Sequence, residues 1–128
     1  AAAVEEKLRG FLDEQRLLTV VLCGHEDLEA RLRIPFMTSF QQRITTWVRR
    51  GALRREDTAA YLLHPLQLAG SPANLYSEAA VFALHQLSAG FFRLLDRLAH
   101  HALIACALDK ATEVTEEHVR LAAEEVGA

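Results

Sequence analysis

Cysteine, proline and glycine are scarce in this 128-residue chain, which holds two, three and six of them respectively. Cys23 and Cys106 are not in a C-x-x-C pair, and each sits in an apolar run where a buried thiol behaves as a small hydrophobe. Both read as reduced and structural, and a disulfide framework is excluded. The glycines are dispersed and GxxxxGK[ST] is missing, so the chain alone cannot cradle a triphosphate in the P-loop manner. A G-x-S-x-G nucleophile elbow is missing as well. No apolar stretch approaches the roughly 20 residues that a membrane-crossing helix needs. A secretory leader is also lacking, since the first fifteen residues mix Glu5, Glu6, Lys7, Arg9, Asp13 and Glu14 with apolar ones. These absences predict a soluble, cytoplasmic chain of single-domain size.

Acid is missing from one place in particular. Residues 30–55 contain no Asp or Glu but seven arginines: Arg31, Arg33, Arg43, Arg49, Arg50, Arg54 and Arg55. The formal net charge is only -3, so the rest of the chain must be strongly acidic, and the molecule is electrically divided. The arginine-rich stretch suits phosphate, of nucleic acid or of a nucleotide at a subunit boundary, because the guanidinium fork makes bidentate contacts. The plainer reading is a solvated basic face. Six histidines raise a metal hypothesis that fails on spacing. His100 and His101 are adjacent and project about 100° apart on a helix; of the residues four away from either, only Asp96, before His100, is a possible ligand, and two ligands do not make a site. No metal is expected.

Hydrophobic period supplies the elements. Residues 2–14 predict an amphipathic helix. Residues 17–23 (LLTVVLC) form a short continuous apolar run, β-branched in its middle and closed by Gly24, which suits a strand buried on both faces. Residues 27–40 read as helical with a break near Pro35, and residues 44–50 (ITTWVRR) as a second short strand. From Arg54 onward the pattern is helical. Residues 55–64 form a helix that Pro65 ends or kinks, and residues 70–74 (GSPAN) form a loop. Ser77 caps a helix whose inward residues are Ala80, Val81, Leu84 and Leu87. Gly90 separates it from residues 91–108, apolar around nearly the whole circumference and therefore central. Thr115 caps a last helix, with Glu116 and Glu117 at its positive end and Val119, Ala122, Ala123 and Val126 inward.

Taken in order, LLTVVLCGHEDL, FQQRI, LRREDTAAYLLHPLQLAG, LSAGFFRLLDRLAHHALIACAL and VTEEHVRLAAEE resemble the C-terminal part of a bacterial AAA+ ATPase. The type is the ExeA/GspA-like secretion ATPases, with transposition relatives such as TniB and MuB. The resemblance implies a mainly α fold: a four-helix lid-type bundle over residues 54–128, preceded over residues 1–53 by a remnant of the α/β core with one or two short strands that can repack. It implies that residues 17–23 are the sensor-1 strand, with His25 as its polar residue near the γ-phosphate. It makes Arg43 a candidate arginine finger acting on a neighbouring subunit, and Arg93 of GFFR the sensor-2 arginine. Phe92 stands where the family has proline, and Pro65 where an arginine is common in the first lid helix.

The chain then reads as a fragment that senses nucleotide and supports assembly without hydrolysing ATP by itself. ATP and Mg belong to the full-length parent, whose N-terminal core, with Walker A and Walker B, is the missing partner. An apolar strand without sheet neighbours predicts self-association. The competing reading is a helical DNA- or protein-binding module using residues 31–55, with Arg49, Arg50, Arg54 and Arg55 as phosphate or nucleic-acid contacts.

Overall fold

The computed structural model describes residues 3, 5–7 and 19–128. The chain divides into two compact units, Ala1–Arg49 and Arg50–Ala128. The helix expected over residues 2–14 falls mostly outside the described residues, of which 3 and 5–7 are helical.

In the first unit, α1 (Glu26–Leu32) follows His25, which has extended backbone angles and gives no side-chain cap. Glu26, Asp27 and Glu29 occupy its first turn and Arg31 its last, the polarity that the helix dipole favours. Pro35 opens a single 3-10 turn, Pro35–Met37, and α2 (Thr38–Gln41) continues from it. The helical stretch with a break at Pro35 is thus observed. Leu32, Met37 and Phe40 form a small core with Leu28 and Ile44 against it.

The two expected strands are corrected. Residues 19–23 and 44–50 have no regular structure, and residues 17 and 18 lie outside the described part. A doubly buried strand needs neighbours on both edges to satisfy its N–H and C=O groups. Among the described residues the one β-bridge is elsewhere, Val21 is 85% exposed, and Cys23 is exposed rather than buried.

The second unit holds α3 (Arg55–Leu68), α4 (Glu78–Ser88), α5 (Phe92–Leu108) and α6 (Glu116–Val126). This is the expected mainly α, four-helix bundle. Its core comprises Leu62 of α3, Ala80 and Leu84 of α4, Leu95, Leu98, Ala99, Ala102 and Cys106 of α5, and Val119, Ala122 and Ala123 of α6, with Val114 between the last two helices. The α5 residues recur at helical spacing, so one stripe meets both α4 and α6. The expectation that α5 is wrapped on all sides is corrected: Arg93, Arg97 and His100 face solvent, with Ile104 and Leu108 43% and 79% exposed. Leu87, expected inward, is exposed too. Four helices cover only one side of each other, and apolar residues beyond the shared stripe remain outside.

Pro65 neither ends nor breaks α3, which runs on to Leu68. Lacking an N–H, it forfeits one helical hydrogen bond near the end of the helix, on an exposed face. Two helices start at a single point. Tyr76 and Val114 form an isolated parallel bridge, in which the Val114 N–H donates to Leu75 O (2.7 Å) and the Ser77 N–H to Val114 O (3.0 Å). Ser77 then caps α4 by accepting the Ala80 N–H at 3.1 Å. At α6 the Thr115 N–H donates to His118 Nδ1 at 3.0 Å. That bond fixes the neutral ring's proton on Nε2, from which it reaches Asp109 Oδ2 at 3.2 Å.

The turn between α4 and α5 is tight. Ala89 and Gly90 both have positive φ, 49° and 76°. The Gly90 N–H donates to the buried Ser88 Oγ at 3.2 Å, and Gly90 O accepts the Leu53 N–H at 2.8 Å. A Cβ on Gly90 would lie 2.2 Å from Leu53 O, whereas one on Gly70, also at positive φ, would meet open space. Gly70→Ala should therefore cost about 1–2 kcal/mol for the left-handed backbone alone. Gly90→Ala should cost about 1–3 kcal/mol more from overpacking. Urea denaturation of both variants checks this, and equal losses would contradict the close approach.

Candidate functional site

The candidate site is built around the N-terminus of α5. Phe91 precedes the helix with extended backbone angles and no side-chain cap, and no acid lies in the first turn. The first N–H groups of a helix have no intrahelical acceptor and carry the positive end of its dipole. Arg93 sits in this turn, exposed, with no hydrogen bond or ion pair among the described residues. A cation there is electrostatically disfavoured by the dipole. Asp96, three residues on, does not neutralise it. Its carboxylate accepts the Tyr61 phenol O–H instead, at 2.9 Å and 3.2 Å to its two oxygens.

Tyr61 organises the flank of this turn. Its ring meets Phe92 edge-on, with centroids 5.1 Å apart at 71°. Burial, and then the hydrogen bond to Asp96, push the phenol above its ordinary value. On Phe92 also rests the Arg50 guanidinium, 4.6 Å from the ring centroid. The Leu53 N–H bonded to Gly90 holds the intervening backbone against the turn. Arg50 and the segment bearing Arg93 thus meet through Phe92.

The remaining candidate residues are distributed differently. Arg54 donates from Nε to Asp57 Oδ2 at 2.9 Å, and Arg55 lies over Phe82 at 4.6 Å. In the first unit, His25 is exposed at the start of α1 and Arg43 is exposed just beyond α2. Arg49 grips Glu29 with two guanidinium nitrogens, at 2.7 Å and 2.5 Å, and Arg33 adds a third bond at 2.7 Å. Sequence reading missed the Arg50–Phe92–Tyr61–Asp96 chain and the Leu53–Gly90 bond. The GFFR glycine was the one local sign of the latter. Among the described residues no three His, Cys, Asp or Glu side chains group as a metal site, and no helix is long and apolar enough to cross a membrane.

Comparison with known proteins gives one informative relation. The chain is 36% identical over 114 residues to "General secretion pathway protein A" of Aeromonas hydrophila, across 89% of this chain and 21% of that protein. It therefore spans about a fifth of the length of this curated relative, to part of which it is related. No protein-family model matches the chain, and neither does any solved structure.

Arg49 and then Arg33 hold the Glu29 carboxyl down to about 2, from an ordinary 4.5. A depressed carboxylate favours the folded arrangement above its unfolded value and loses that contribution as the pH falls toward its folded one. The Glu29 carboxyl carbon followed by NMR should thus titrate near pH 2, and Arg49→Ala should move its midpoint upward. A native midpoint in the ordinary range would show that the fork is not formed.

Proposed function

We propose that this chain is the lid-containing portion of an AAA+-type ATPase of the secretion class, reading nucleotide state and supporting subunit assembly without hydrolysing ATP by itself. The observation that carries the reading is Arg93: an exposed cation with no hydrogen-bond or ion-pair partner among the described residues, in the acid-free and uncapped first turn of the 17-residue helix α5. The relation to General secretion pathway protein A supports the class.

The physical role follows from charge. A guanidinium beside unpaired helix N–H groups is stabilised by an anion, and phosphate oxygens offer both charge and fork geometry. Arg93 would bind and orient the terminal phosphate of ATP, held with Mg by the parent's upstream core. α5 is packed into the bundle through Leu95, Leu98 and Ala102, so a pull on Arg93 is a pull on a rigid body. His25 would act as a second sensing residue, and Arg43 as a finger toward a neighbouring subunit. Arg50 would reach the same region from its seat on Phe92. The competing reading, a DNA- or protein-binding module using residues 31–55, is weaker. Arg33 and Arg49 are already bonded to Glu29, and Arg54 to Asp57.

In the full-length parent, Arg93→Ala should lower ATP turnover by about 100- to 1000-fold, the range for losing one preorganised charge stabiliser. Arg93→Lys should recover part of it. Turnover within twofold of the native enzyme would remove Arg93 from the site. Steeply salt-dependent duplex DNA binding by the 128-residue chain would favour the competing module.

A further inference from the structure

We propose that Tyr61 is a positioning residue for Arg93: by holding the Asp96 carboxylate, its hydroxyl keeps Arg93 open to phosphate. The inference rests on the reading of Arg93 as a phosphate contact, and adds what controls that arginine's availability. In the second unit three arginines stand three residues from a carboxylate: Arg54 from Asp57, Arg120 from Glu117 and Arg93 from Asp96. Residues at that spacing on a helix are surface neighbours. Arg54 and Arg120 each take the carboxylate, at 2.9 Å and 3.0 Å from Nε. Arg93 does not, although it and Asp96 are both exposed, and it makes no ion pair or hydrogen bond among the described residues.

What differs at Asp96 is a competitor from another helix. The Tyr61 phenol reaches across from α3 and lies within hydrogen-bonding distance of both Asp96 oxygens, at 2.9 Å and 3.2 Å. Its ring is half-buried and meets Phe92 edge-on, and Phe92 is covered in turn by the Arg50 guanidinium. Packing therefore aims the hydroxyl before it makes any bond. Burial, and then the bond to Asp96, push the phenol above its ordinary value, so it stays a proton donor at neutral pH. A charge-assisted bond from a donor already in place outweighs an exposed arginine–carboxylate pair, which is screened by solvent and must order a long side chain. Without the Tyr61 hydroxyl, Asp96 is free to do at α5 what Asp57 does at the start of α3, and any phosphate must first displace it from Arg93.

Tyr61→Phe removes the hydroxyl and keeps the ring, so the fold should be retained. In the 128-residue chain this change should slow exchange of the Arg93 Nε–H with water, followed by 15N NMR, by about two- to fivefold, the population shift that an exposed ion pair allows. Adding Asp96→Asn should return the native rate. In the full-length parent, Tyr61→Phe should weaken binding of a non-hydrolysable ATP analogue by the same factor and leave ADP binding unchanged, because Arg93 addresses the terminal phosphate. Asp96→Asn should again restore the loss, whereas damage to the fold would weaken both nucleotides and resist rescue. Two results would overturn the positioning role: Arg93 exchange unaltered by Tyr61→Phe, or analogue binding that Arg93→Ala weakens and Tyr61→Phe does not. Native analogue binding by Arg93→Ala would instead overturn the phosphate reading of Arg93, and the role of Tyr61 with it, even where the NMR rates respond as expected.

Discussion

The hydrogen bond from the Leu53 N–H to the Gly90 carbonyl, 2.8 Å long, is the constraint on which the candidate site depends. It ties the backbone leading into α3 to the turn leading into α5, and it forms only because residue 90 has no side chain: a Cβ would lie 2.2 Å from Leu53 O. From that junction the rest follows in order. Phe92 emerges where both Tyr61 and Arg50 can reach it, Tyr61 is aimed at Asp96, and Arg93 is left facing solvent. Remove the close approach and Arg50 loses its fixed relation to Phe92.

Electrostatics divides the molecule along the chain. Arginines of the basic stretch that lie near acids are drawn into exposed ion pairs, as with Arg33 and Arg49 on Glu29 and Arg54 on Asp57. Exposed pairs of this kind contribute little to stability. In α6, Arg120 likewise bonds to both Glu117 and Glu124. Arg93 is in no such pair among the described residues.

What the sequence disclosed and what it concealed divide by range of interaction. The Ser77 cap of α4, the Thr115 start of α6 and the break at Pro35 are local chemistry, settled within a few residues, and all were legible. The helical bundle was legible for the same reason. Residues 17–23 misled because an apolar β-branched run records a preference that only neighbouring strands can satisfy, and residues 19–23 have none here. The apolar character of α5 suggested full burial, yet burial is set by how many elements surround it, which periodicity does not encode. The Tyr61–Asp96 and Arg50–Phe92 contacts join residues tens of positions apart, and nothing local announces them. Of the site, Arg93 and Gly90 could be singled out in advance, but the aromatic and acidic residues that frame them could not.

Amide hydrogen exchange at Leu53 tests the central constraint most directly. With the N–H bonded to Gly90, it should exchange as slowly as the amides of the α5 core turn around Leu98, even though Leu53 lies outside any helix. Exchange at the rate of the unstructured residues 45–48 would show that the junction is open and that Arg50 and Arg93 are not held in one arrangement.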